Sequence, residues 1–280
     1  MSDTAGFYDD LAGTYDRLHS DWELTVMTAG RTLDALLRRV LGDREHRLLD
    51  CAAGIGTQVL GAARHGHQVA GTDLSVGALR RARAEAGRTG VPAPLVVADM
   101  RRLPYADGSF DAVICADNAI AHLLADGELE LALGEMRRVL RDGGLVVVTL
   151  RDYDLLSRER PPVLPTHVSH GEHGLLLTVP VCEWSADGTR YLLRQLQLAE
   201  QPGGGWVTAE RRVLCRAYGR AQVREAAERA GLGGARWVMP TEGFFYQPVL
   251  LATRHPAPRP EVRNPAGAAA SGRAASPWRP

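Results

Sequence analysis

In the first 155 residues, short continuous apolar runs alternate with segments that are apolar at every third or fourth position. The runs at 48–50, 67–72, 94–97, 110–116 and 145–150 read as buried strands. Between them, 31–41, 58–64, 76–87 and 127–140 carry helical spacing, and 76–87 also shows an Arg/Glu face. This alternation predicts an α/β, doubly wound, mainly parallel sheet with helices on both faces, and right-handed crossovers limit its topology. Ligands of such sheets bind at the carboxyl ends of the strands. Asp50, Asp73, Asp99 and Asp117 all stand at such ends.

After residue 155 the period changes. Segments 175–184, 191–199 and 206–217 are rich in β formers and are separated by Ala186-Asp187-Gly188 and by the Pro202 to Gly205 turn, a pattern that predicts an inserted antiparallel β-meander. A helix at 221–230, stopped by Gly231, and strands at 235–239 and 247–253 follow. Residues 160–217 therefore read as an insertion between the fifth strand and the last helix of one domain spanning 1–255. Six of the 16 prolines fall in 256–280, with too few apolar side chains for a core, and this composition predicts a disordered tail.

The turn after the first strand carries the chemistry. Asp50 is followed by Cys51-Ala52-Ala53-Gly54-Ile55-Gly56, a small-residue bend that opens a helix. Without bulky side chains the main chain can approach a ligand, and free N–H groups at the helix start favour a carboxylate or phosphate. Some twenty residues on, the second strand ends at Asp73, where an acidic side chain would meet ribose hydroxyls. The pair predicts a ribonucleoside-containing cofactor. A dinucleotide fold would place a third glycine three residues after Gly56, where this chain has Val59.

The segment resembles motif I of the class I S-adenosylmethionine (SAM) methyltransferases, acidic-x-G-x-G-x-G, with Ala52 in place of the first glycine. More narrowly, it is similar to the glycine/sarcosine N-methyltransferase branch through the Gly-Ile-Gly-Thr-Gln end. Further stretches fall in that family's order: Asp73-Leu74-Ser75, Ala98-Asp99-Met100, Asp117-Asn118 and Leu140 to Gly144. At the N-terminus, Phe7 to Asp16 and Asp21-Trp22-Glu23 resemble the same branch. The resemblance implies a seven-stranded, Rossmann-like sheet and SAM as cofactor, with no metal.

It also implies roles. Asp50 and the backbone from Ala52 through Gly54 to Gly56 would face the methionine end of SAM, Asp73 the ribose hydroxyls, Leu74 and Met100 the adenine ring, Asp99 its amino group, and Asp117 and Asn118 the sulfonium side. Tyr15 and Trp22 would fold over the cofactor, or pack in the core as large aromatics do. Asp99 is equally suited to cap a helix before Arg101. On the acceptor side, His122 could take a proton or be held structurally. Arg151, Tyr153, Arg212 and Tyr246 fall where that branch forms its substrate pocket, and Tyr153 and Tyr246 lie in the segments most like the family's. The inserted sheet would cover the active site, with a homodimer contact or simple edge cover as alternatives. One departure stands out: the Arg-Gln pair of the glycine/sarcosine enzymes after Trp22 is Thr28-Ala29 here, which puts glycine itself in doubt as acceptor.

Charge and composition narrow the acceptor. The chain has 33 basic and 33 acidic residues, every basic one an arginine, so it has no general attraction to phosphate backbones. Nor does the fourth strand lead into the Asn/Asp-Pro-Pro-Tyr that grips a flipped base. A small-molecule methyl acceptor is expected, not nucleic acid or membrane; a nucleic-acid methyltransferase and a non-catalytic SAM-binding protein are the alternative readings. No apolar run reaches a membrane span, and the four cysteines lack paired metal spacing, so a cytoplasmic protein with reduced thiols is expected.

Overall fold

The computed structural model describes residues 4–19, 21–171, 174–242 and 245–255. The tail at 256–280 for which composition predicts disorder lies outside the described residues.

Seven strands form the main sheet. β1 (Arg47–Asp50), β2 (Gln68–Asp73), β3 (Leu95–Val97), β4 (Phe110–Cys115) and β5 (Leu140–Thr149) are joined by parallel pairings, and β10 (Leu232–Val238) and β11 (Val249–Arg254) complete the order β10-β11-β5-β4-β1-β2-β3. β11 alone runs antiparallel, to both β5 and β10. Every residue of β4 is buried, as expected for a strand covered on both faces. Side chains alternate between two cores across this sheet. Leu49, Val113, Val146 and Val148 face one side with α5 (Glu128–Val139), α6 (Tyr153–Glu159) and α7 (Arg220–Arg229). Leu48, Ala112, Ile114, Leu145 and Val147 face the other with α2 (Trp22–Leu41) and α3 (Thr57–Ala63).

A second sheet of four antiparallel strands has the order β6-β7-β8-β9, made of β6 (His167–Gly171), β7 (Gly174–Trp184), β8 (Arg190–Glu200) and β9 (Trp206–Arg216). It packs on α1 (Thr4–Leu11) and the 3-10 helix Ala12–Leu18, and over the 3-10 helix Ala119–His122. The N-terminal segment is thus held between the two sheets. Among the described residues no helix is long and apolar enough to cross a membrane.

Three differences from the sequence pattern have a visible cause. The helix expected at 31–41 begins at Trp22, because the Asp21 carboxylate accepts from Leu24 N at 2.9 Å and caps it there; the exposed Leu24 and Met27 blur its apolar stripe. The fifth strand starts at Leu140, paired with Phe110, and is interrupted by an irregularity before Leu145. The meander gains β6, whose His-Val-Ser-His sequence shows no apolar run.

Candidate active site

The chain leaves β1 at Asp50 and reaches α3 through a bend that lines a cavity of about 490 Å³. Gly54 (φ 51°) and Gly56 (φ 95°) occupy the left-handed region, where a Cβ is strained. Ala53 N donates to Thr72 O at 2.9 Å and pins the bend to β2. α3 is brought close by a crossing of glycines: a Cβ on Gly30 of α2 would lie 2.3 Å from the Gly61 carbonyl oxygen. The same pair of helices is joined by Trp22, whose indole N–H donates to Thr57 Oγ1 at 3.3 Å.

Asp73 ends β2 at the cavity wall. Gly54 N donates to its Oδ2 and Ser75 N to its Oδ1, each at 2.8 Å. The carboxylate is therefore fixed to the bend, and each oxygen keeps lone-pair capacity for a hydroxyl. Burial pushes its pKa up, and those main-chain donors hold it down in part. Asp50 lies behind the bend, fully buried, with Oδ1 accepting from Ala52 N at 3.1 Å and Oδ2 without a partner among the described residues. Burial pushes its carboxyl up to about 8, so it is mostly protonated at neutral pH.

The N-terminal segment lies against the cavity, with Thr4, Ala5, Tyr8 and Tyr15 in its lining. Asp9 fastens it: its Oδ1 accepts from Ser75 Oγ at 2.6 Å and Gly77 N at 2.7 Å, at the start of α4 (Val76–Thr89). These bonds lower the Asp9 pKa. Leu74, Asp99 and Met100 line the opposite end. Asp99 is held by Arg101, which donates through its backbone N at 2.8 Å and its Nη2 at 2.5 Å while also pairing with Glu128.

Beyond β4 two consecutive non-glycine residues have positive φ, Asp117 (55°) and Asn118 (72°). Such backbone is held only where its surroundings over-determine it. Here Thr149 Oγ1 accepts from Asp117 N at 2.8 Å, and the Asp117 carboxylate takes Gln58 Nε2 at 3.1 Å and the Tyr246 hydroxyl at 2.7 Å. The Tyr246 ring is otherwise open, 72% exposed. Asn118 turns inward and donates to the Tyr153 hydroxyl at 2.9 Å, which lies 2.8 Å from the Tyr191 hydroxyl. Burial pushes Tyr153 up to about 12.

His122 follows at the cavity wall, its Nε2 2.8 Å from the Tyr8 hydroxyl. Burial pushes it down to about 4, so the imidazole is neutral at pH 7.

The structure therefore brings Tyr15, Ala52, Gly54, Asp73, Leu74, Asp99, Met100, Asp117 and His122 to one cavity. Trp22, Asp50, Gly56, Asn118, Tyr153 and Tyr246 stand around it: Trp22, Asp50, Asn118 and Tyr153 behind the lining, Gly56 at the N-cap of α3, Tyr246 outside on Asp117. Sequence reasoning missed Gln58 and Tyr8, although Tyr8 lies in the quoted N-terminal stretch and Gln58 directly follows the bend.

The mainly parallel sheet, with the Asp73 carboxylate fixed beside a glycine bend at its carboxyl end, is of the doubly wound class. The methyltransferase domain family matches residues 48–144. A demethylmenaquinone methyltransferase of Streptomyces avermitilis is 32% identical over 65% of this chain and 79% of its own length. This chain belongs to the SAM-dependent methyltransferases. A demethylmenaquinone methyltransferase of Beutenbergia cavernae is 41% identical over 52% of this chain and 57% of its own. A glycine/sarcosine N-methyltransferase of Aphanothece halophytica is 30% identical over 54% of each. The chain thus spans little more than half the length of these last two relatives. In structure, the SAM-bound amino pentose methyltransferase CalS10 of Micromonospora echinaspora superposes with a TM-score of 0.68 at 20% identity, over 86% of this chain and 95% of CalS10, a likeness of fold.

Proposed function

We propose that this protein transfers a methyl group from SAM to a nitrogen or oxygen atom of a small metabolite, an amino acid derivative or a secondary metabolite. One observation carries the reading. Asp73 is locked by Gly54 N and Ser75 N at the wall of a cavity whose other walls are Tyr8, Tyr15, Asp117 and His122. The residues fit the cofactor: a bend free of bulky side chains, a carboxylate with spare acceptor capacity, and Leu74 and Met100 as apolar flanks.

When bound, SAM supplies an electrophilic methyl group. The chain's own task is alignment and exclusion of water, and positioning alone can lower such a barrier by about 7–11 kcal/mol. Asp73 orients the nucleoside end. The N-terminal segment, tied down by Asp9, covers one side of the cavity. Neutral His122 can accept a proton, but its lowered pKa makes it a weak base, so it serves first to hold the Tyr8 hydroxyl. Asn118 and Tyr191 hold Tyr153 in place, and Tyr246 and Gln58 fix Asp117. Arg151 Nη1 reaches only the Tyr191 hydroxyl, at 3.0 Å, without an ion-pair partner among the described residues, which supports an acceptor with an anionic group nearby.

The balanced charge and a cavity of about 490 Å³ favour a small acceptor over nucleic acid. Four free, buried cysteines support a cytoplasmic setting. The inserted sheet is read as the acceptor cover. Calorimetry with SAM, followed by S-adenosylhomocysteine (SAH) release across a metabolite panel, tests the proposal. Micromolar SAM binding with turnover on a small acceptor is expected; absence of SAM binding ends it.

A further inference from the structure

We propose that the outer face of the small sheet is a docking surface for a second copy of this chain, the two sheets packing face to face about a two-fold axis. The inference goes beyond the methyl-transfer reading and does not depend on it.

Successive side chains of a strand point to opposite faces of its sheet. Along β8, Tyr191, Leu193, Gln195 and Gln197 are buried, and Thr14 Oγ1 of the N-terminal segment reaches Gln197 Oε1 at 3.0 Å, so this is the inner face. Leu196 and Leu198 therefore point outward. Along β7, Leu176, Thr178 and Cys182 are the buried residues, and Leu177, Val179 and Val181 point outward. Directly paired residues of neighbouring strands share a face. Val168 pairs with Leu177 and Leu177 with Leu198, while Val179 pairs with Leu196. The six thus form one apolar patch across β6, β7 and β8. Each is partly or largely open to solvent, Val168 most at 47%. Among the described residues none of the six joins a hydrophobic core. Scattered apolar side chains on a surface are ordinary, but a contiguous patch marks a place of contact.

Area, charge and composition name the occupant. At about 3.4 Å per residue and about 4.8 Å between strands, the four strands offer roughly 600 Å² of sheet in projection, close to the roughly 800 Å² of accessible surface that each partner gives to a stable interface. Beside the apolar patch, on the same face, Arg194 pairs with Glu183 at 2.8 Å and with Glu210 at 2.6 Å, and Arg212 pairs with Glu210 at 2.6 Å. Two arginines and two glutamates make this band neutral. A two-fold contact sets one patch against itself, so a band of one sign would repel its own copy, and this one does not. The C-terminal tail is a poor alternative cover, because Val262 and Trp278 are the large apolar side chains that 256–280 contains. Sheets packed face to face lie about 10 Å apart with strand directions within about 30°, so the contact leaves the inner face and the cofactor cavity free. Val207 is paired with Ala199 on the inner side of the sheet and lies outside the patch.

The test is sedimentation velocity on the full chain from about 1 to about 100 μM, a range that brackets interfaces of this size. A monomer–dimer equilibrium is expected. Leu196→Lys puts a charge at the centre of the patch, where it is solvated in a monomer and stripped of water in a dimer, and should weaken association at least about 100-fold. Leu177→Lys, on the neighbouring strand, should do the same, and both variants should keep the SAH affinity of the unsubstituted protein. Oxidative footprinting of the unsubstituted protein makes the result independent of any variant's folding: labelling of Leu177, Val179, Leu196 and Leu198 should fall at least about threefold between the two ends of the range, as an interface core excludes water. A monomer at every concentration, a dimer whose footprint spares these four side chains, or a dimer that survives both substitutions overturns the proposal. A monomer that binds phosphatidylcholine vesicles through this face assigns the patch to a lipid surface and overturns it as well. Failure of the unsubstituted protein to bind SAH sinks the methyltransferase reading and leaves the dimer standing; intact SAH binding by a monomer sinks the dimer alone.

Discussion

The two sheets solve opposite problems. The main sheet is covered on both faces: β4 is buried along its whole length, it pairs in parallel with β1 and, past one irregularity, with β5, and Asp50 and Asp73 stand at strand ends. The small sheet presents to the protein a face that is apolar at one end and polar at the other, with unpaired donors at the polar end. A cofactor of fixed shape can be held by backbone and a few carboxylates on a rigid, apolar scaffold. The difference is sharpest at the glycines, since the main sheet's helices meet through bare backbone where the small sheet meets the N-terminal segment through Thr14 and Gln197.

The largest effect should come from breaking the scaffold. Gly30→Ala places a methyl 2.3 Å from the Gly61 carbonyl oxygen, which is backbone and cannot swing aside. The helices must separate, and urea denaturation should report a loss of about 3 kcal/mol or more. A loss under about 1 kcal/mol would show that α2 and α3 can slide, and the contrast between a rigid and a compliant half would fall. Next in size is Asp73→Ala, which removes the carboxylate proposed above to meet the ribose hydroxyls and the partner of Gly54 N. SAM affinity should drop by about 2–4 kcal/mol, roughly 30- to 1000-fold. Unchanged affinity would move the cofactor elsewhere.

Much of the main sheet is legible in the sequence because its strands are continuous apolar runs and its carboxylates stand where runs end. Asp73, Asp99 and Asp117 follow from that grammar alone. Asp50 shows its limit: position puts it at the strand end, but only packing reveals that it lies behind the bend and is uncharged. Tyr153 shows the same, since the similarity of its segment to the family's does not say that its hydroxyl is spoken for by Asn118 and Tyr191. The small sheet is less legible. β6 has no apolar run, and Gln195 and Gln197 alternate with leucines as an exposed face would, yet the glutamines are the buried ones. Only the protein beneath a sheet decides which face is inside.

The buried acid and the buried imidazole give the two ends of the cavity opposite pH signatures. Asp50 has its folded pKa raised to about 8 by burial. Folding therefore favours its protonated form, and stability is present below the unfolded carboxyl pKa near 4 and is lost as pH rises towards about 8. Asp50→Asn, a neutral mimic, should flatten that slope and gain on the order of 2 kcal/mol over the unsubstituted protein at pH 8. His122 has its folded pKa lowered to about 4 by burial. Its neutral form is favoured, so stability is full above about 6.5 and is lost as pH falls towards 4. His122→Gln should remove on the order of 1 kcal/mol of that acid loss. Urea midpoints measured from pH 4 to 9 check both, and slopes of the reverse sign would contradict the burial that sets them.

The smallest effect belongs to the outer part of the small sheet. Val207, 54% exposed on β9, has Ala199 as its cross-strand partner. Its near-isosteric replacement Val207→Thr keeps the β-branch that a strand favours and adds only a solvated hydroxyl. Stability should shift by no more than about 0.5 kcal/mol, and SAM affinity should not change. The substitution separates two roles for this sheet. If it only covers the acceptor, the outer end of β9 is inert and concentration-dependent sedimentation is unaltered. If the exposed Trp206–Val207 end is instead buried between two copies, a hydroxyl there loses its water without gaining a partner, and a destabilisation above about 1 kcal/mol that grows with protein concentration would follow. The comparison of the two sheets would then need a third surface, the interface between protomers.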